Sequence, residues 1–362
     1  MINVTKTYLP DKSRYIEYVN RIFETGWLTN NGQLVRELEK RLADYLGVEN
    51  LLVVTNGTLA LQIAFRALGI KGKVITTPFT FVATVSSLVW EGLNPVFADI
   101  DNGTFNISPE LIERKISKET SAILPVHVFG NVCEVEQIET LARRYNLKLI
   151  FDAAHAFGVR YNNSSILNFG DASILSFHST KIFHTIEGGA IVFSDRKDYD
   201  KARLMINFGI AGYDRVDGLG INGKMNEFQA AMGLCVLEDI EELIVKRKVV
   251  YKNYINAFSG KKDFILQKLN TNATHNYSYF PLVFRSERIR ENVLRLLQES
   301  DIFPRKYFSP SLETLDYLNY TEEMPVSQQV SHRILCLPLY ESLTKKEQKK
   351  IIEIVLSGIS DD

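Results

Sequence analysis

The sequence of 362 residues contains little cysteine. Its three cysteines, Cys133, Cys235 and Cys336, are far apart, and no CxxC pair or Cys/His cluster accompanies them. This pattern excludes a disulfide framework and predicts no metal site. The sequence also lacks an apolar run of about 18 residues, the length of a membrane span. Its first ten residues lack the basic start and apolar stretch of a signal peptide. We therefore expect a cytoplasmic protein.

An excess of charge of either sign is missing as well. The 42 Lys and Arg residues oppose 43 Asp and Glu residues, which leaves a net charge of −1. A chain with this balance has no overall field that attracts nucleic acid or an acidic membrane, so neither is expected as a partner. Apolar residues make up 45% and charged residues 23%, the proportions of an ordinary globular protein. At roughly 150 residues per domain, the length predicts about two domains.

Short β-rich runs alternate with helical patterns in the first half of the chain. This rhythm is typical of an α/β domain with a mostly parallel sheet. The runs are almost continuously apolar, as expected for strands that helices cover on both faces. Two of the predicted helices cover residues 33–46 and 58–68. The seven predicted strands cover residues 51–55, 73–77, 95–100, 122–128, 148–152, 172–177 and 190–194.

A long helical pattern begins at Asn226 and predicts either two helices or one long connecting helix. We place a domain boundary within it, between residues 245 and 246. Residues 246–362 then mix a strand at 279–284 with helices at 290–298 and 345–356, an α+β pattern. The predicted fold is therefore a large α/β domain, residues 1–245, with a mostly parallel mixed sheet flanked by helices. A smaller α+β domain follows it.

Three groups of residues suited to catalysis or ligand binding lie at the ends of predicted strands or just beyond them. The turn at residues 55–58, Thr-Asn-Gly-Thr, leads into a helix, whose free N–H groups can hold a phosphate; a capped turn without a ligand fits equally well. Asp152 ends a strand and is either the partner of a bound cation or a helix cap. Lys181, just beyond another strand, is either a nucleophile or a solvated surface charge.

Considered together, these features match the needs of pyridoxal 5'-phosphate (PLP): a phosphate cradle, an acid opposite the pyridine nitrogen and a lysine for the aldehyde. Longer motifs occur in the same order along nearly the whole chain, among them TNGTLALQIAF, TTPFTFVATVSSLVWEGLNPVFADID, IFDAAHAFG, SFHSTKIFHTIEGGAIV and INGKMNEFQAAMGL. In these motifs the chain resembles the sugar-nucleotide aminotransferases of the DegT or StrS type, within the aspartate aminotransferase superfamily (fold type I). The resemblance implies a PLP transferase-like fold.

The resemblance also implies roles for residues of the catalytic centre. Lys181 would bind the cofactor aldehyde covalently and later move the proton between cofactor and substrate carbons. Asp152 would pair with the pyridinium. Phe81 would stack on the ring, although a core aromatic is an equally good interpretation. His155 occupies the place where the family often has glutamine near the cofactor hydroxyl.

Other roles implied by the resemblance concern the phosphate and the substrate. Asn222 would reach the phosphate of the neighbouring subunit, which requires a homodimer with shared active sites. Lys224 stands where the family usually has arginine. His332 resembles a substrate-side position and is equally well a solvated histidine. The residues expected to bind the phosphate within the same subunit are Gly57, Thr58 and Ser176.

The expected reaction is the transfer of an amino group from glutamate to a nucleotide-linked 4-keto-6-deoxyhexose, with dTDP as the nucleotide, by a ping-pong PLP/PMP mechanism. Its product would serve deoxysugar biosynthesis for O-antigen or other lipopolysaccharide. A lysine at 181 favours amino transfer over dehydration, and the IEGGA stretch resembles enzymes that act at C4. A 3-keto sugar aminotransferase, a PLP-dependent dehydratase and a non-catalytic PLP-binding regulator remain alternatives. The tyrosine-rich stretches 277–280 and 306–308 either line the nucleotide cleft or pack structurally.

Overall fold

A computed structural model describes residues 1–359. Its helices are α1 (Lys12–Thr25), α2 (Gln33–Leu46), α3 (Gly57–Ala67), α4 (Ala83–Trp90), α5 (Pro109–Lys115), α6 (Val135–Arg144), α7 (Arg196–Met205), α8 (Glu227–Phe258), α9 (Glu287–Glu299), α10 (Pro325–Arg333) and α11 (Lys345–Ser357). Its strands are β1 (Ile2–Asn3), β2 (Asn50–Val54), β3 (Lys73–Thr76), β4 (Asn94–Phe97), β5 (Thr120–Leu124), β6 (Lys148–Asp152), β7 (Arg160–Tyr161), β8 (Ser164–Ser165), β9 (Ala172–Ser176), β10 (Gly189–Phe193), β11 (Ile210–Gly212), β12 (Arg215–Val216), β13 (Phe264–Leu266), β14 (Phe280–Phe284), β15 (Ile302–Phe303) and β16 (Ile334–Leu337).

A seven-stranded sheet with the order β2-β10-β9-β6-β5-β3-β4 forms the centre of the fold. Strand β10 is antiparallel to both of its neighbours, and the other four junctions are parallel. The mostly parallel mixed sheet is therefore confirmed. All seven predicted strands are present, and their ends differ from the prediction by at most four residues.

The alternation of side chains along β2 explains why its whole sequence is apolar. Leu51 and Val53 join a core with helices α2, α6 and α8, whereas Leu52 and Val54 join a second core with α3 and α7. Successive residues of a strand point to opposite faces, so a sheet covered on both sides needs apolar residues at every position. Because both faces of the sheet are covered by apolar cores, polar side chains are expected at the ends of its strands.

Helix α8 is one continuous helix of 32 residues that passes through the predicted boundary near residue 245. Its side chains up to Leu243 pack in the core of the large sheet, and those from Val250 onward pack with the C-terminal sheet β13-β14-β16 and helices α9 and α11. This change of core supports a boundary there, which remains a prediction. Strand β1 is parallel to β15, so the first residues of the chain pack with the C-terminal part.

Helix α2 depends on a carboxylate from another helix. Its N-cap is Gly32, which has no side chain to accept hydrogen bonds. The buried Glu227 of α8 accepts them instead, from Leu34 N–H at 2.8 Å and Val35 N–H at 3.0 Å. A negative charge is also stabilised at the positive end of the helix dipole. Glu227 thus joins two helices that pack on the same face of the sheet.

We predict that Glu227→Ala lowers the free energy of unfolding by about 1–3 kcal/mol, because two buried N–H groups lose their acceptor. Urea denaturation at fixed protein concentration measures the change. Glu242→Ala is the matched control on the same helix, since Glu242 makes only an exposed ion pair with Lys246, and it should change the free energy by about 0.5 kcal/mol or less. Equal effects of the two variants would contradict the capping role.

Candidate active site

Strands β2, β6 and β9 run in the same direction, so their carboxyl ends lie at one edge of the sheet. The turn at residues 55–58 follows β2, Asp152 ends β6, and Lys181 lies in the loop between β9 and β10. In open α/β sheets, ligands bind at this edge. The structure therefore brings together the three features that the sequence singled out.

Asp152 is a buried carboxylate that receives hydrogen bonds on both oxygens. Thr84 Oγ1 donates to Oδ2 at 2.8 Å, and the N–H of Ala154 donates to Oδ1 at 3.1 Å. Burial raises the pKa of Asp152, while these hydrogen bonds and the charge of Lys181 oppose the rise. The expectation that Asp152 caps a helix is wrong, since no described helix begins near it.

Lys181 is held by a loop that both leaves and re-enters the sheet at this edge. Phe177 N–H donates to Gly188 O at 2.8 Å and Lys181 N–H donates to His178 O at 2.8 Å. The Nζ atom lies 5.9 Å from the centroid of the Tyr279 ring. Burial lowers the pKa of Lys181 to about 8, although the charge of Asp152 acts in the opposite direction. The lysine is therefore partly uncharged near neutral pH, as a nucleophile requires.

The start of α3 packs closely against the ends of β9 and β10. A Cβ on Gly57 would lie 2.9 Å from the Cβ of Ser176, and one on Gly189 would lie 2.7 Å from the carbonyl carbon of Asn56. Asn56 caps α3 by accepting from Leu59 N–H at 2.8 Å. The first N–H groups of a helix have no acceptor within it. Gly57 and the exposed Thr58 therefore offer a compact anion cradle beside Ser176.

His155 lies in an aromatic cluster that includes residues of the C-terminal part. Its ring is parallel to those of Phe129 and Phe308, with centroids at 6.3 and 5.8 Å, and lies 4.8 Å from Tyr279. Burial lowers the pKa of His155, which keeps the imidazole neutral. Its Nδ1 accepts the N–H of Phe129 at 3.3 Å. The proton of the neutral ring therefore resides on Nε2. This atom is a hydrogen-bond donor, as is the side-chain amide of a glutamine, the residue expected at this place from the resemblance described above.

Phe81 is 54% exposed and lines a cleft of about 500 Å³ with Tyr307 and Phe308. The interpretation of Phe81 as a core aromatic is therefore wrong. Its aromatic face is available to a ligand at the strand ends, just before α4. Of the tyrosine-rich stretches left open by the sequence, Tyr279 and Phe308 are buried around His155, and Tyr307 lines this cleft.

Three of the expected residues lie outside the aromatic cluster around His155, and two of them belong to a segment that contacts the turn at residues 55–58. Asn222 is exposed, on a segment whose Gly223 carbonyl accepts the N–H of Thr55 at 3.0 Å. Lys224 Nζ lies 4.9 Å from the ring centroid of Phe208. The exposed His332 pairs with Glu287 of α9 at 3.7 Å. The substrate role of His332 stays a prediction that this contact does not support.

Comparison with known proteins identifies the family. The family model described as the DegT/DnrJ/EryC1/StrS aminotransferase family matches residues 10–356. The chain belongs to this family. It is a sugar-nucleotide aminotransferase, and membership implies PLP as the cofactor.

Individual relatives of this aminotransferase are similar over nearly their full length. A dTDP-4-amino-4,6-dideoxy-D-glucose transaminase from Shigella dysenteriae is 41% identical over 99% of this chain and 98% of its own. A GDP-perosamine synthase from Escherichia coli is 32% identical over 95% of each chain. The crystal structure of DesI in the presence of its TDP-sugar product superposes with a TM-score of 0.93 at 31% identity, covering 99% of this chain and 93% of that one. The fold class is confirmed.

The residues of this aminotransferase fit PLP. The free N–H groups at the start of α3 can bind a phosphate, the carboxylate of Asp152 has lone pairs left for a ring N–H, and Lys181 is partly uncharged. Within residues 1–359 no group of three His, Cys, Asp or Glu residues could hold a metal ion, and no helix there is long and apolar enough to cross a membrane. Sequence reasoning missed Thr84, although the TFVAT motif contains it.

We predict that, in the cofactor-free protein, Lys181 becomes reactive toward acetic anhydride with a midpoint near pH 8, because its lowered pKa frees the amine. Peptide mass spectrometry measures the labelling at each pH. Lys148 is the matched control, since its hydrogen bond to Asp171 raises its pKa and its labelling should not reach a plateau in the same range. Asp152→Asn should shift the Lys181 midpoint below pH 8; an upward shift would contradict the proposed charge interaction.

Proposed function

We propose that this aminotransferase transfers an amino group from glutamate to C4 of a dTDP-linked 4-keto-6-deoxyhexose by a ping-pong mechanism. The observation that carries the proposal is the placement of Asp152 and Lys181 at one sheet edge in a chain 41% identical to a dTDP-4-amino-4,6-dideoxy-D-glucose transaminase. In a ping-pong cycle 2-oxoglutarate leaves before the sugar is aminated, so both substrates use the same lysine and carboxylate.

Each side chain of the site has its own proposed role in the reaction. PLP, when bound, draws electrons away from the amine-bearing carbon. Lys181 would hold the cofactor covalently and, once the amine of the substrate has displaced it, its free Nζ would move a proton to and from that carbon, for which a pKa of about 8 is well matched to neutral pH. Asp152 would pair with the ring nitrogen, and His155 would donate from Nε2 to the ring hydroxyl. The buried ring of Tyr279 excludes water beside the lysine.

The anion cradle completes the binding of the cofactor. The N–H groups and hydroxyls of Gly57, Thr58 and Ser176 are proposed to bind the phosphate, and the exposed face of Phe81 to stack on the ring. Each contact holds a part of the cofactor that does not react. These contacts would position the reacting carbon relative to Lys181.

We predict that the protein converts a stoichiometric amount of glutamate into 2-oxoglutarate before any sugar is added, with loss of the visible band of the bound cofactor. Keto-deoxysugars linked to dTDP, GDP or UDP are then added, and NMR locates the new C–N bond. A 4-amino product from the dTDP substrate is expected. Lys181→Ala should abolish both steps. A 3-amino product, or loss of water from the sugar without amination, would contradict the assignment.

The proposed homodimer is supported by an exposed apolar hairpin. The segment 208–221, which contains β11 and β12, carries apolar side chains that are at least 41% exposed: Phe208, Ile210, Tyr213, Val216, Leu219 and Ile221. A patch of this kind is typical of a subunit interface. Asn222 directly follows it, which is consistent with a side chain that completes the phosphate site of the partner subunit.

We predict that mixing two inactive variants, Lys181→Ala and Asn222→Ala, restores up to about a quarter of the wild-type activity. Random exchange of subunits makes half of the dimers mixed, and each mixed dimer contains one intact site if the sites are shared. The mixture is assayed after reversible dissociation, with each variant alone as control. No recovery, with mixed dimers verified by mass spectrometry, would show that Asn222 acts within its own subunit.

The cysteines support the proposed cytoplasmic location. All three thiols are free and buried in the structure. Secreted proteins usually join such residues in disulfides, whereas a reducing compartment keeps them as thiols.

A further inference from the structure

Two buried threonines form a hydrogen-bonded chain that ends on Asp152. Thr84 Oγ1 lies 2.8 Å from Asp152 Oδ2, and Thr80 Oγ1 lies 3.0 Å from Thr84 Oγ1. Both threonines are at most 2% exposed, and Asp152 is 5% exposed. Hydroxyls buried in this way are shielded from water, so the protein determines which acceptors they bind.

The direction of the protons in this chain follows from the carboxylate. An ionised carboxylate only accepts hydrogen bonds, so Thr84 must donate its single proton to Asp152. The oxygen of Thr84 can then only accept, which makes Thr80 the donor between the two threonines. The hydroxyl protons of both Thr80 and Thr84 therefore point toward Asp152.

The hydrogen bonds hold the carboxylate of Asp152 in one orientation and leave acceptor positions free on both of its oxygens. Oδ2 is held by Thr84 and Oδ1 by the N–H of Ala154 at 3.1 Å. Each carboxylate oxygen has a second lone pair, so one acceptor position on each oxygen remains for a ring N–H. Without Thr84 only one oxygen would be held, and the carboxylate could rotate.

Thr84 also belongs to the same turn as Phe81. Its N–H donates to the carbonyl of Phe81 at 3.1 Å where α4 begins. The side chain proposed to stack on the ring and the hydroxyl that holds the carboxylate are thus fixed relative to each other by one backbone turn.

We propose that Thr84 is a positioning residue for Asp152: its hydroxyl, oriented by Thr80, holds the carboxylate ionised and aimed at the ring nitrogen of PLP. The inference rests on the cofactor site of the proposed function. Burial opposes ionisation by raising the pKa of Asp152, and the hydrogen bond from Thr84 is the largest influence that lowers it. The charge of Lys181 acts in the same direction as Thr84.

Thr84→Val tests the proposal, because valine keeps the shape and removes the hydroxyl. Loss of a hydrogen bond to a charged group should weaken PLP binding about tenfold in equilibrium dialysis. It should also raise the pKa of Asp152 by about 1, measured by ¹³C NMR of the cofactor-free full chain labelled at aspartate, with Asp152→Asn to assign the signal. Thr84→Ser should stay within about twofold of wild type, and Thr80→Val should give an intermediate effect.

Ser87→Ala is the matched control for the loss of a buried hydroxyl on the same helix. Ser87 Oγ donates to the carbonyl of Thr84 at 3.0 Å and makes no hydrogen bond to Asp152. It should leave both the dissociation constant and the Asp152 titration unchanged. A double-mutant cycle completes the test: in an Asp152→Asn background, Thr84→Val should weaken PLP binding by less than about twofold.

The proposal is overturned if Thr84→Val binds PLP and titrates as the wild type does, if Ser87→Ala has the same effect, or if the tenfold loss persists without the Asp152 charge. None of these measurements involves a sugar or an amino donor. A wrong sugar substrate would therefore leave them unchanged, whereas failure of the wild type to bind PLP would refute the cofactor site itself.

Discussion

The buried carboxylate of Asp152, placed at the same sheet edge as Lys181, is the constraint on which the rest of the site depends. Burial raises the pKa of the carboxyl and lowers that of the amine, and each charge counters the effect on the other. The hydrogen bonds from Thr84 and Ala154 oppose the rise in the pKa of Asp152 more strongly than the charge of Lys181 does. The result at Lys181 is an amine that is partly neutral near neutral pH, as PLP chemistry requires.

The antiparallel strand β10 is what holds Lys181 at the edge of the sheet. A parallel successor to β9 would begin at the opposite edge, and the chain would have to cross the sheet, usually through a helix. Because β10 is antiparallel to β9, the loop between them starts and ends at the same edge. Gly189, at the start of β10, then lets the start of α3 approach closely. The antiparallel strand β10 thus both keeps Lys181 at this edge and allows the start of α3 to pack beside it.

Local sequence patterns carried the prediction of the scaffold. The nearly continuous apolar runs identified every strand of the large sheet, because helices cover most of its strands on both faces, and the helix predicted at residues 33–46 has the observed ends of α2. Asp152 and Lys181 were found because Asp152 ends such a strand and Lys181 lies in the loop after another. The order and direction of the strands bring these two residues to one edge of the sheet. This placement can be expected without knowing any side-chain contact.

Contacts between distant segments were not predictable in the same way. Thr84 contacts a residue 68 positions away, and nothing in its own neighbourhood marks it as a donor. The stack of Phe308 on His155 joins the C-terminal part to the large domain. The motif assigned to His332 did not reveal its exposed position beside Glu287, since a helix surface and a substrate cleft can share the same local sequence.

The continuous helix α8 determines how the molecule can move. At 1.5 Å per residue its 32 residues form a rod of about 48 Å, and both cores pack against it. Rotation of the C-terminal part as a separate body would require this rod to bend. The aromatic cluster around His155, which contains residues of both parts, is therefore held in place by the helix on which both parts pack.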